Sequence, residues 1–205
     1  MRYIITFIQL IFLAIFIFLI VKGPMMMWLA IYAASLLIAI LFGRIYCGYI
    51  CPMNTMMIHL DNLLSKLNVK KKSAPKWLES GNFTWLALIV SILAMIVFKK
   101  VVHINLPILL IWLLISLIIT FFYKAEVFHN LICPFEPLQR LFGRYAIFSH
   151  RVNDEKCTAC RACIKVCPSD AVVIKERKAA IDKAVCHQCS NCRTACVKNA
   201  ISYSK

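Results

Sequence analysis

Apolar residues run almost unbroken through positions 3–21, 27–42, 83–98 and 107–123, and none of these stretches contains a charged side chain. A helix needs about 20 apolar residues to cross the hydrocarbon of a bilayer, so the pattern predicts four transmembrane helices arranged as two hairpins. Each hairpin is followed by apolar residues at helical spacing. Met53, Met56, Met57, Leu60, Leu63, Leu64 and Leu67 form the first stripe, and Phe135, Leu138, Leu141, Phe142 and Tyr145 the second. Such stripes predict amphipathic helices lying on the membrane surface. Beyond residue 150 the pattern changes to a small polar module, with two short strands at 171–175 and 179–182 divided by charged residues at 176–178. The chain therefore divides at 1–149, a helical membrane domain, and 150–205, a small α+β module.

Composition strengthens the membrane reading. The 205 residues are 61% hydrophobic and 16% charged, too apolar for an ordinary soluble domain. The net charge of +15 fits basic loops that set topology and meet anionic headgroups, and no nucleic-acid-binding motif accompanies it. Arg44, Lys66, Lys70, Lys71, Lys72 and Lys76 follow the second stretch, whereas Lys22 alone follows the first. The positive-inside rule then puts both termini in the cytoplasm, with the loop of Lys99, Lys100 and His103 as a weaker exception. The first stretch lacks a small-residue cleavage site and is read as a retained span of a multi-pass protein, not a signal peptide.

Eight of the eleven cysteines lie beyond residue 156. Cys157, Cys160, Cys163 and Cys167-Pro168 form C-x2-C-x2-C-x3-C-P, and Cys186, Cys189, Cys192 and Cys196 repeat the spacing with Val197 in place of proline. Two consecutive runs of this form are not zinc spacing, and reduced thiols agree with a cytoplasmic face. Residues 151–205 resemble a bacterial two-cluster ferredoxin. That resemblance implies two 4Fe-4S clusters, with the fourth cysteine of each run ligating the other cluster. Cluster 1 is then held by Cys157, Cys160, Cys163 and Cys196, and cluster 2 by Cys186, Cys189, Cys192 and Cys167.

Three cysteines remain, in matching places after the second and fourth apolar stretches. The elements at 47–52 and 129–134 each set a metal-competent residue four positions before a Cys-Pro: Cys47 before Cys51-Pro52, and His129 before Cys133-Pro134. If helical, each pair shares a face. Cys47, Cys51, Cys133 and His129 are thus a candidate third metal or cluster site, a pair of redox-active thiols, or apolar packing around a tight turn. The remaining histidines, His59, His103, His150 and His187, read as surface or interface residues.

With its four spans, Cys-Pro elements and C-terminal ferredoxin module, the whole chain resembles the four-span membrane 4Fe-4S proteins of the NapH and NosR type. His129 departs from that pattern, standing where a cysteine is expected, and the large extracytoplasmic domain of the NosR branch is missing. The resemblance implies electron transfer between the quinone pool, or a membrane partner, and another redox protein. No haem-attachment motif occurs, no histidine lies inside a span, and no span carries the charged groups of an ion pathway. The expectation is an electron-transfer subunit, a quinol dehydrogenase component at most, with no catalytic side chain of its own. The basic module favours an acidic redox partner. The competing expectation is a redox-sensing or maturation protein that supports assembly of another metalloenzyme.

Overall fold

The computed structural model describes residues 2–22, 25–69, 71–72, 74–78, 80–103 and 106–205; Lys70, counted above among the topology-setting cations, lies outside them. In chain order the helices are α1 (Arg2–Lys22), α2 (Met25–Phe42), α3 (Pro52–Lys66), α4 (Asn82–Val97), α5 (Ile108–Phe122), α6 (Ala125–Leu131) and α7 (Glu136–Gly143). The C-terminal module adds β1 (Ser149–Val152), α8 (Ala162–Lys165), β2 (Val172–Lys175), β3 (Lys178–Ile181), α9 (Asn191–Ala195) and β4 (Ile201–Ser204). The protein is mostly helical with a ferredoxin-type module. Helix fills all four apolar stretches, and Ile4–Lys22 and Asn82–Val101 are long and apolar enough to cross a membrane. Met26–Phe42 and Ile108–Phe122 are shorter apolar helices. Phe7, Phe18, Leu37, Leu86, Leu114 and Ile118 point outward and exposed, as lipid-facing side chains do.

Packing forms two compact units, Met1–Cys51 with Leu138–Lys205, and Pro52–Pro137. In the first, α1 and α2 meet through Phe16 and Trp28, edge to face at 5.0 Å. Gly43, at φ +73°, turns the chain out of α2, a conformation that costs an L-residue about 1–2 kcal/mol and glycine nothing. The segment leaving α7 returns to the same helix end: the Phe148 N–H donates to the Leu41 carbonyl at 2.8 Å, and Phe148 stacks on Phe42 at 5.7 Å. Strand pairing then closes the ferredoxin module, because β1 runs antiparallel to β4 and joins the first residues of the module to its last. Its core is Cys163, Val172, Ala179, Cys192 and Ile201, with Cys157, Cys167 and Cys196 packed against it, so part of the cysteine set is built into the hydrophobic core.

The hairpin β2–β3 turns at Glu176 and Arg177, both left-handed at φ +48° and +61°. A two-residue turn with both central residues at positive φ matches the twist of the strands it joins, and Asn-Gly suits it best. Glu176→Asn combined with Arg177→Gly is therefore expected to stabilise the module by about 1 kcal/mol, read as a higher midpoint temperature of its thermal unfolding. An unchanged or lower temperature would count against this account of the turn.

The second unit holds α3 to α6, with α3 packed chiefly on α5. Trp112 of α5 donates through Nε1 to the Ser91 hydroxyl of α4 at 2.9 Å. His129 of α6 sits 3.0 Å from the Asn54 carboxamide oxygen of α3. On α3, Met53, Asn54, Thr55 and Met57 are all buried while Leu63 is exposed. The first turns of this helix are thus packed inside the protein on more than the face its apolar stripe suggests.

Candidate iron–sulfur sites

The two cysteine runs adopt one backbone design twice. In the first run Ala159, Arg161 and Asp170 are left-handed, and the equivalent Gln188, Ser190 and Asn199 of the second run are left-handed too. Alternating conformations of this kind wrap a loop around a cavity and aim successive N–H groups inward, where they favour negative charge. Six non-glycine residues in a conformation that costs each about 1–2 kcal/mol are tolerated because the loop shape serves a ligand.

Cys157, Cys160, Cys163 and Cys196 together line a cavity of about 230 Å³. One of these four comes from the second run, so the structure brings together the set expected for cluster 1. Lys156, Arg161, Val197 and Lys198 line the same cavity. Cys160 is exposed, and Val197, standing in the place of the absent proline, is 87% exposed.

The second set is buried deeper. Burial first, and then the nearby Cys189, Cys192 and Cys167, push the Cys186 thiol up to about 12, against the lowering effect of a backbone hydrogen bond at Gln188. The Cys192 thiol is likewise pushed up to about 12 by burial, then by Cys189, Cys167 and Cys163. Burial also raises Cys189, with Cys167 adding to it. Cys167 acts on all three cysteines of the other run, the neighbourhood expected for cluster 2. Thiols held this far above neutral pH keep their protons until a cation replaces them, so metal binding there releases protons.

Three of the module's cysteine sulfurs accept backbone hydrogen bonds: Cys167 Sγ from the Ala171 N–H at 3.3 Å, Cys196 Sγ from the Ala200 N–H at 3.3 Å, and Cys157 Sγ from the Ala179 N–H at 3.4 Å. Donors aimed at cysteine sulfur fit iron-bound thiolates, whose electron density they draw away. Among the described residues no three His, Cys, Asp or Glu side chains close around a single metal ion. Cysteines spread around a cavity suit a four-iron cube instead.

Gly48 and Tyr49, between Cys47 and Cys51, meet the loop of the second cysteine run at His187 and Gln188. Cys51 precedes proline and is therefore extended, at φ −64° and ψ 116°. The chain reaches it through a wide π-helical turn, Tyr46–Ile50, closed by the Cys51 N–H on the Tyr46 carbonyl at 2.8 Å. Cys47 and Cys51 are thus not stacked on an α-helical face. The same closure recurs at the second element, where the Cys133 N–H reaches the Phe128 carbonyl at 2.8 Å. The internal repeat is therefore one of backbone geometry as well as spelling. Of the four candidate third-site residues, Cys47 and Cys51 belong to the first unit and Cys133 and His129 to the second, and all are buried.

Sequence reading passed over the residues that grip the cluster-2 loop. Arg44, fully buried, donates through Nη1 to the Ala184 carbonyl at 3.3 Å and the Val185 carbonyl at 3.5 Å. Tyr49 donates its hydroxyl to the Gln188 carbonyl at 3.1 Å. Gly48 comes so close that a Cβ there would lie 2.1 Å from the His187 carbonyl oxygen. His150 and His187, read as surface or interface residues, are buried at this contact and beside it. The signal was present in Gly43-Arg44-x-x-x-Gly48-Tyr49: an arginine at the end of an apolar helix with two glycines nearby.

Comparison with known proteins agrees with this geometry. A 4Fe-4S binding domain model matches residues 24–71 and 105–153, each segment holding the second apolar stretch of a hairpin and the Cys-Pro element after it. A 4Fe-4S dicluster domain model matches residues 133–201, including all eight module cysteines. The uncharacterized protein MJ0749 of Methanocaldococcus jannaschii is 30% identical over 178 residues, covering 83% of this chain and 68% of MJ0749. The chain belongs to the MJ0749 family. A second protein of that organism, the uncharacterized MJ0750, is 26% identical over 200 residues, covering 90% of this chain and 82% of its own. YccM of Escherichia coli, whose name describes an electron transport protein, is 23% identical over 195 residues, covering 83% of this chain and 54% of YccM. No solved structure gives a significant match. This MJ0749-family protein binds two 4Fe-4S clusters and is of the iron–sulfur electron-transfer type.

Proposed function

We propose that this protein is a four-span membrane electron-transfer subunit of the NapH-like kind, with its ferredoxin module in the cytoplasm. It carries electrons between a quinol or membrane redox partner and an acidic soluble carrier. Cys186, Cys189, Cys192 and Cys167 hold one 4Fe-4S cluster, Cys157, Cys160, Cys163 and Cys196 the other, and when bound these clusters supply one-electron transfer. The observation that carries the reading is the clasp of Gly48, Tyr49 and Arg44 on residues 184–188. It fixes the buried cysteine set against the end of α2, while the other set opens to solvent at Cys160. Electrons then have an inner and an outer station in a fixed order.

The outer station is ringed by Lys156, Arg161 and Lys198, which suits a negatively charged partner through steering more than through affinity. The test uses the full chain in lipid vesicles under anaerobic conditions. A quinol should reduce the clusters, followed by electron paramagnetic resonance, and an acidic one-electron carrier should reoxidise them. Arg161→Glu with Lys198→Glu is expected to slow reoxidation roughly tenfold at low salt, with the difference shrinking at high salt as the charges are screened. No reduction by quinol or by any membrane donor would reject the conduit reading in favour of a sensing or maturation role. Salt-independent reoxidation would reject the docking face.

A further inference from the structure

We infer that Arg44 is a positioning residue that sets the reduction potential of cluster 2 by holding a buried positive charge against the loop that grips it. This rests on the assignment of Cys186, Cys189, Cys192 and Cys167 to one cluster. Four observations converge on the guanidinium. It is wholly buried, so water and salt screen its charge poorly. Its Nη1 group bonds the carbonyls of Ala184 and Val185, the two residues before Cys186. Its Nη2 group lies 3.8 Å from Cys47 Sγ. Gly143 leaves room for its stem, since a Cβ there would lie 2.9 Å from Arg44 Cγ.

Reduction adds one negative charge to a cluster, and a nearby cation in a poorly screened interior stabilises the reduced form. Arg44 thus raises the potential of the inner station relative to a chain lacking it, and ties that potential to the membrane-side element that carries it. Because the same fork bonds the loop carbonyls, charge and position are supplied together. Any rearrangement at Cys47 is felt at the cluster through one side chain.

The test is a redox titration of the full chain followed by electron paramagnetic resonance, with iron measured on the same samples. About eight irons and two one-electron steps in the unaltered protein check the underlying assignment by themselves. In Arg44→Gln, one of the two steps should move to more negative potential. At its original midpoint the reduced-to-oxidised ratio should fall roughly tenfold, ~59 mV for one electron, and the shift should persist at high salt. The other step should move much less. Arg44→Lys keeps the charge and should recover most of the shift, whereas a purely structural role would leave lysine and glutamine equally disturbed. If Arg44→Gln fails to hold iron, Gly143→Ala displaces the guanidinium without removing it and should move the same step alone. Unmoved midpoints in glutamine and alanine variants that retain about eight irons, or equal movement of both steps, would overturn the proposal.

Discussion

Cys167→Ser is expected to damage the cluster of the other cysteine run, and Cys196→Ser to do the reverse. Cys167 lies among Cys186, Cys189 and Cys192, each of whose thiols it raises, and Cys196 closes the cavity of Cys157, Cys160 and Cys163. Iron should fall from about eight per chain to about four in each single variant. The two cases should differ in what survives. Cys167→Ser should spare the solvent-open cluster and its reaction with a soluble carrier, and lose the one against Gly48 and Tyr49. Cys196→Ser should spare the buried cluster and its reduction from the membrane side. Losing the cluster of its own run in either variant would refute the crossed ligation. Cys163 and Cys192 belong to the module core, so protein freed of iron by a chelator should lose compactness as well as colour.

Gly48→Ala should be the most damaging glycine-to-alanine change among the described glycines. The added Cβ would sit 2.1 Å from the His187 carbonyl oxygen, a backbone atom that cannot rotate away. The Gly48 carbonyl is itself held by Gln9 Nε2 at 2.9 Å, so the turn is fixed from both sides. Overpacking of this kind costs about 1–3 kcal/mol, occasionally more. The module should stay folded through its own strands while its seat on residues 46–50 opens, so reduction by quinol is lost and about eight irons remain. Gly43→Ala meets a flexible side-chain end, Gln188 Nε2 at 2.6 Å, and also pays for φ +73°. It should be milder. Gly81, left-handed with open space around it, sets the baseline, with a cost near 1 kcal/mol. Equal quinol reduction rates in all three variants would remove the clasp from the mechanism.

The local chemistry was legible along the chain. The cysteine spacing pointed to two 4Fe-4S clusters, as the family matches do, and short strands at 172–175 and 178–181 appeared close to their expected bounds. The four apolar stretches proved helical, each too long for a typical strand. The wide turn before Cys51 and Cys133 was less legible. Helical spacing assumes an α-helix, but a proline after each cysteine makes that residue extended, and the turn widens to reach it.

What the sequence by itself determined is therefore the cofactor, its ligand types and the apolar helices, all set by spacing within a few turns of chain. Only the tertiary structure decided that Arg44, Gly48 and Tyr49 clasp residues 184–188, and that one cysteine set is buried while the other opens to solvent. These contacts join residues about 140 positions apart, and their energy comes from close packing and buried hydrogen bonds that no local pattern encodes. A glycine chosen for a carbonyl far along the chain looks, in the sequence, like any other glycine.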